Sequence, residues 1–285
     1  MSSSFLQFRR SFTDHAATFV AATLSAIVVG TLVAIFAYLL VKGAGSVNWA
    51  FLTNTPKPVG ETGGGMANAI VGSVMILGMA SLIGIPFGIG AGVYLAEYGR
   101  NRLGAFVRFT ADVLNGVPSI VIGLVAYGLV VFTQGHFSAF AGSVALAIMM
   151  VPMVARTTEE MLLLVPQAVR EAAFGLGIPQ WRTTISITLA TARAGILTGI
   201  MLAFARVAGE TAPLMFTALG NQFWSFSPNQ PIAAVPLQIY NYALSPYDDW
   251  HRQAWAAALV LVALIVGTIS LVRFVFARST LREAS

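Results

Sequence analysis

Six stretches of the chain are apolar over a bilayer-spanning length, and short polar segments separate them. They run Ala17–Val41, Ala67–Leu95, Val107–Phe132, Phe137–Ala155, Thr184–Ala208 and Ala254–Phe276. A helix needs about 20 apolar residues to cross the hydrocarbon core. The pattern therefore predicts an all-α fold, a polytopic membrane helix bundle with six transmembrane helices. The first run is longer than a signal-peptide core and lacks a cleavage site, so it counts as a helix. Proline and glycine fall inside two runs, at Gly84-Ile-Pro86-Phe-Gly88 and Asn115-Gly-Val-Pro118-Ser119. Broken membrane helices are tolerated where the freed backbone faces protein or water. Both sites are expected breaks or packing kinks.

Composition agrees with the pattern. Of 285 residues, 57% are hydrophobic and 9% charged, where soluble domains carry about 25% charged residues. The net charge of +5 raises nucleic-acid binding, but its distribution argues for topology instead. Arg9, Arg10, Arg100, Arg102, Arg108, Arg156, Arg170, Arg182, Arg273, Arg278 and Arg282 fall on one side of the six runs, against Lys42, Lys57 and Arg252 on the other. By the positive-inside rule both termini and the Val165–Trp181 segment are expected in the cytoplasm. The setting implied is a membrane crossed several times, with lipid as partner and no nucleic acid. No cysteine is present, so disulfides are excluded.

The expected organisation is a cytoplasmic tail at 1–16 and a single transmembrane domain at 17–285, with its core at about 65–278. The first span reads as peripheral to a five-helix core. A cytoplasmic loop occupies about 156–183 and an outer loop about 221–252. Trp224, Phe226, Tyr240, Tyr242 and Trp250 in the outer loop suit an interfacial aromatic belt or contact with an external protein. Arg156 with Glu160, and Arg108 with Asp112, are spaced four apart near the inner surface. They read as ordinary helix pairs, or as braces for the cytoplasmic loop.

Within that loop, Pro166 suits the first turn of a helix and Gly177 its end, where a left-handed residue is often needed. Ala172, Ala173, Gly175 and Gly177 are small and permit close approach of another surface. Glu171-Ala172-Ala173 followed by Gly177 resembles the EAA loop of ABC-importer membrane subunits. It departs from that family downstream, where Leu189-Ala190 stands in place of a frequent Leu-Pro. The resemblance implies a coupling helix that docks on a cytoplasmic ATPase, with Arg170, Glu171, Ala172, Ala173 and Gly177 as the coupling residues.

The fifth run carries Arg193, Arg206 and, at its outer end, Glu210. A charge at mid-membrane costs about 2.5–3.5 kcal/mol on insertion scales, so each needs a partner or water. With Gly195 at the origin of a helical wheel, Gly199, Ala203, Arg206 and Glu210 fall at about 40°, 80°, 20° and 60°. The two charges thus extend a stripe of small residues, where another helix can approach. Arg193 falls nearly opposite. Arg206 reads either as the structural partner of Glu210 or as a fixed cationic fork for an oxyanion in transit. Thr211 and Asn115 are candidate neutral donors beside it.

Three motifs, Tyr94-Leu-Ala-Glu-Tyr98, Asp112–Gly123 and Arg206–Leu214, resemble the PstA-type permeases of phosphate ABC importers. The resemblance implies a type I ABC importer permease fold and a heterodimer with a PstC-type permease. It further implies a dimeric PstB-type ATPase at the cytoplasmic face and a PstS-type phosphate-binding protein outside, in a bacterial or archaeal cell (inner) membrane. The chain has no Walker-type phosphate loop, so it is not expected to be an enzyme, and ATP and magnesium belong to the partner ATPase. No cofactor, catalytic residue or metal site is expected, the histidines being scattered at His15, His136 and His251. A permease for another oxyanion (sulfate, molybdate) or an anion transporter driven by an ion gradient are the alternatives.

Overall fold

The computed structural model describes residues 3–61 and 63–283, with side chains from 10 to 276. Residues 1, 2, 284 and 285, and the side chains of Arg9, Arg278 and Arg282, lie outside the described residues. In chain order the helices are α1 (Ser3–Gly43), α2 (Trp49–Thr53), α3 (Ala67–Glu97), α4 (Arg102–Gly116), α5 (Ser119–Ala126) and α6 (Phe132–Gln134). They continue with α7 (Ala139–Leu163), α8 (Gln167–Gly175), α9 (Gln180–Thr183), α10 (Leu189–Ala208), α11 (Ala212–Met215), α12 (Val235–Ala243) and α13 (Asp248–Glu283). Short π-helical turns join α5 to α6 and α9 to α10. Residues 3–16, expected as a tail, continue the helix of the first span.

Among the described residues five helices are long and apolar enough to cross a membrane, or six if one bent pair counts as a span. That pair is the expected third span. It is not one helix: α4 and the α5–α6 segment meet at 109°. Val117 and Pro118 make the bend, because both are extended, with ψ near 133° and 135°. The residue before a proline is pushed out of the helical region by the ring. Of the break or packing kink expected at Pro86, the break does not occur, since α3 runs through it.

The glycines beside Pro86 do something else. A Cβ on Gly84, Gly88 or Gly92 would come within 3.0, 2.6 and 2.6 Å of Met150, Val154 and α7 atoms of Ala155 and Thr158. Spacing by four places them on one face, and small residues there let α3 and α7 approach closely. Residue numbers rise together along this contact, so α3 and α7 run parallel. The chain between them must therefore return across the bundle, and α4–α6 make that return. On the other flank Gly195 meets Met161 and Gly199 meets Thr157, so α10 runs antiparallel to α7.

The core sits where α3, α7 and α10 meet, around Ile76, Ala80, Leu146, Met150, Val154, Ala203 and Val207. Helix α1 lies apart from it and rests on α13, with Tyr38 edge-on to Trp255 at 5.2 Å. The outer loop is less exposed than its aromatic residues suggest. Ile232, Ala233, Ala234 and Val235 are buried, and Ser73 Oγ accepts from the Val235 N–H at 2.8 Å. Backbone N–H groups at the start of α7 donate into the same segment, from Ala139 to Gln230 O and from Phe140 to Pro228 O. Unpaired helix-end donors are thereby satisfied away from water.

Candidate functional site

The polar segment forms as its sequence predicts. Pro166 is the N-cap of α8 and Gly177 takes φ of +76°. The Ile178 N–H reaches Ala173 O at 3.1 Å and the Gly177 N–H reaches Phe174 O at 2.9 Å. This is the Schellman pairing that closes a helix on a left-handed residue. Glu171, Ala172 and Gly177 are exposed, while Ala173 is buried against the bundle. Phe174, Leu176 and Trp181 add exposed apolar area beside them. The surface thus offers a carboxylate, small residues and apolar side chains to a partner.

Arg170 behaves differently from its neighbours. It points inward, pairs with Glu97 and donates to Leu162 O at 2.6 Å. Side-chain exposure is 12% for Arg170 and 8% for Glu97. Expected as a coupling contact, Arg170 instead fastens α8 to the ends of α3 and α7. Glu97 was visible only as part of the Tyr94–Tyr98 motif; nothing local signals a partner so distant along the chain.

The two helix pairs expected near the inner surface are not formed. Arg108 Nε donates to Glu159 at 2.5 Å, and Arg156 bridges Glu159 at 2.7 Å and Asp112 at 3.0 Å. Arg108 also donates to Leu95 O and Gly99 O at 2.7 and 2.9 Å. The reason is the bend at Pro118, which lays α4 across the end of α7. Arg108, Asp112 and Asn115 then share the face turned to it, and pairing runs between helices rather than along them. Glu159, only 2% exposed, is the residue sequence reasoning missed.

At the other end of α10, Arg206 Nε lies 4.0 Å from Glu210 Oε1, with side chains 50% and 20% exposed. The wheel argument fails here in part. Its small residues do admit another helix, since Gly195 and Gly199 meet Met161 and Thr157 of α7. Ile196, Ala203 and Val207 centre the buried face, leaving Arg206 on its flank. Helix α10 stops at Ala208, so Glu210 is not on the wheel at all; its backbone N–H is held by Val207 O at 3.2 Å. Arg193 is partly buried.

Thr211 is the N-cap residue of α11, and its carbonyl accepts from Leu214 and Met215. Helix α11 packs on α5 at Gly123, where a Cβ would lie 2.7 Å from Pro213 Cα. The structure therefore joins the Asp112–Gly123 and Arg206–Leu214 motifs, far apart in sequence, at one place. Asn115 sits two residues before the bend with Oδ1 buried and without a hydrogen-bond partner, so it does not bond to Arg206 or Thr211 through that oxygen. The arrangement offers a half-open guanidinium beside a carboxylate, which suits reversible capture of an anion. No group of three or more metal-ligating side chains occurs among the described residues.

Residues 84–280 match the family of binding-protein-dependent transport system inner membrane components. The phosphate transport system permease protein PstA of Yersinia pestis is 49% identical over 238 residues, 83% of this chain and 81% of that protein. Mycobacterium tuberculosis PstA 1 is 41% identical, over 75% of this chain and 72% of its own length. Among solved structures, a chain of the inward-facing MetNI methionine ABC transporter covers 77% of this chain and 97% of its own, at 19% identity and a TM-score of 0.59. A chain of an amino acid ABC transporter follows at 20% identity and 0.53, covering 75% and 94%.

Proposed function

The chain belongs to the binding-protein-dependent transport system inner membrane components, and among them to the PstA phosphate permeases; on that premise we propose how its two ends divide the work of import. It is the membrane permease subunit of an ATP-driven phosphate importer, and it is not itself catalytic. It crosses the membrane several times and works with an ATPase and a substrate-binding protein. The finer reading gives it a PstC-type permease as second half of the path. A PstB-type ATPase dimer binds ATP and magnesium, and a PstS-type protein delivers phosphate. The arginine distribution supports both termini, and α8, facing the cytoplasm.

One observation carries the mechanism. Glu171 is exposed near the start of the span that ends in the half-open Arg206. ATP-driven closure of the ATPase would push α8 through Glu171, Ala172 and the turn at Gly177, with Ala173 anchoring the helix from below. The span starting at Gln180 and ending at Ala208 would then shift against α7. Phosphate released from outside would meet the Arg206 guanidinium, with Thr211 and Asn115 as neutral contacts. Glu210 competes for the same cation and keeps the anion from binding too tightly. This is alternating access with the chemistry done by the partner.

Affinity purification of the complex from its membrane tests the reading. The expected result is co-purification of an ATPase, a second permease and a binding protein. Hydrolysis should rise with phosphate-loaded binding protein and not with sulfate-loaded protein. Equal stimulation by sulfate would overturn the cargo, and the absence of any ATPase would overturn the class.

A further inference from the structure

The transport reading uses only Asn115, at the far end of α4, and leaves the Arg108 end of that helix without a task. Its Leu103, Phe106, Phe109 and Val113 are exposed, as expected of a helix with one face to lipid. Its other face carries Arg108, whose guanidinium holds three elements at once. Nε donates to Glu159 of α7, Nη2 to Leu95 O within α3, and Nη1 to Gly99 O just beyond α3. Arg156 adds a second tie from α7 to Asp112 of α4. The same end of α3 carries Glu97, the partner of Arg170 on α8. Helix α8 is thus joined to α4 through partly buried ion pairs and helix-end carbonyls.

Beyond Gly116 the chain turns through 109° into α5, and α5 touches Pro213 at Gly123. Pro213 follows Glu210 by three residues. A continuous path of charged contacts, one bend and one close packing contact therefore runs from α8 to the Arg206–Glu210 pair.

We propose that Arg108 is a positioning residue for coupling: it makes α4 move as one body with the ends of α3 and α7. The coupling stroke is then delivered to α5, and so to the segment bearing Glu210, by rotation at Val117–Pro118. The proposal rests on the transport reading, in which α8 is the element the ATPase moves. Coupling of this kind requires an element with two arrangements that both sites bias. Val117 and Pro118, the two extended residues between α4 and α5, are where such a rotation would be taken up.

The chain has no cysteine, so paired spin labels on it carry no background from this subunit, and the partner subunits are used in cysteine-free form. One pair replaces Leu103 of α4 and Leu164 beyond α7, which are 58% and 72% exposed. A second pair replaces Leu164 and Leu124 of α5, the latter 51% exposed. Distances are measured by pulsed electron paramagnetic resonance in the assembled complex, nucleotide-free and trapped with ATP and vanadate. The 103–164 distance should stay fixed while the 124–164 distance shifts. Arg108→Gln should broaden the 103–164 distribution and lower phosphate moved per ATP by roughly two- to thirtyfold, the range for residues that carry coupling without touching ligand. Arg108→Lys, which keeps the charge but lacks the fork, should fall between.

A 103–164 distance that shifts on trapping in the unmutated complex would overturn the proposal. So would an Arg108→Gln complex with unchanged distances and unchanged transport per ATP. If Arg108→Gln does not assemble, the distances in the unmutated complex decide alone. A native complex whose hydrolysis ignores phosphate-loaded binding protein would instead overturn the transport reading.

Discussion

Arg170 and Glu97, separated by 73 positions, form an ion pair that joins α8 to the end of α3. Their neighbour Glu171 points the other way, into solvent. Two adjacent residues of one motif therefore occupy different environments, one paired inside the bundle and one open to solvent. Removing one member of a buried pair leaves the other charge unpaired and costs about 3–5 kcal/mol. Arg170→Gln should lower the amount of folded protein in the membrane and its thermal midpoint in detergent. Glu171→Gln should leave both unchanged and lower uptake per ATP. The paired comparison checks the division: equal loss of folded protein from the two substitutions would contradict it.

How far the sequence showed this depends on the range of the interaction. Five of the six spans and the α8 boundaries were legible, because apolar runs, Pro166 and Gly177 act locally. Glu97 and Glu159 were not, because their partners lie on other helices. Pro118 was seen as a break, but a proline alone does not give a 109° turn. Pro86, equally visible, leaves α3 unbroken. The difference is Val117 and Pro118 together leaving the helical region, with α4 then stabilised by ion pairs to α7.

Gly72 tests the burial of the outer segment. A Cβ there would lie 2.0 Å from Ala233 O, a backbone atom that cannot rotate away. Overpacking of this kind costs about 1–3 kcal/mol. Gly72→Ala should lower the thermal midpoint, whereas Gly78→Ala, with nothing within 4 Å, should not. If the 221–252 segment lay loosely on the surface, the two substitutions would behave alike.

Gly177 tests the turn after α8. Its φ of +76° is a conformation that costs other L-residues roughly 1–2 kcal/mol. No side-chain contact would be made or lost, since the space around it is open. Gly177→Ala should therefore leave the bundle folded and loosen the α8 terminus. The expected readout is faster amide exchange at Leu176–Ile178 together with lower uptake per ATP. Gly175→Ala, where φ is ordinary and the space equally open, is the control and should change neither.

Arg206 decides between structure and transport at the outer end of α10. Its separation of 4.0 Å from Glu210 and its 50% exposure make the pair weak as a fold-stabilising contact. Exposed pairs contribute about 0–1 kcal/mol, so Arg206→Gln should leave the thermal midpoint and the assembly of the complex nearly unchanged. Phosphate uptake should be abolished, because glutamine offers neither the charge nor the fork an oxyanion needs. Arg206→Lys should retain part of the uptake with weaker apparent affinity, since a lysine ammonium attracts the anion without bidentate geometry. Glu210→Gln should do the reverse and tighten phosphate capture while slowing release, as its competition for the guanidinium is removed. Arg193→Gln, on a different part of the helix, should be milder than Arg206→Gln. Loss of the assembled complex in Arg206→Gln would instead assign the arginine to holding the outer segment in place.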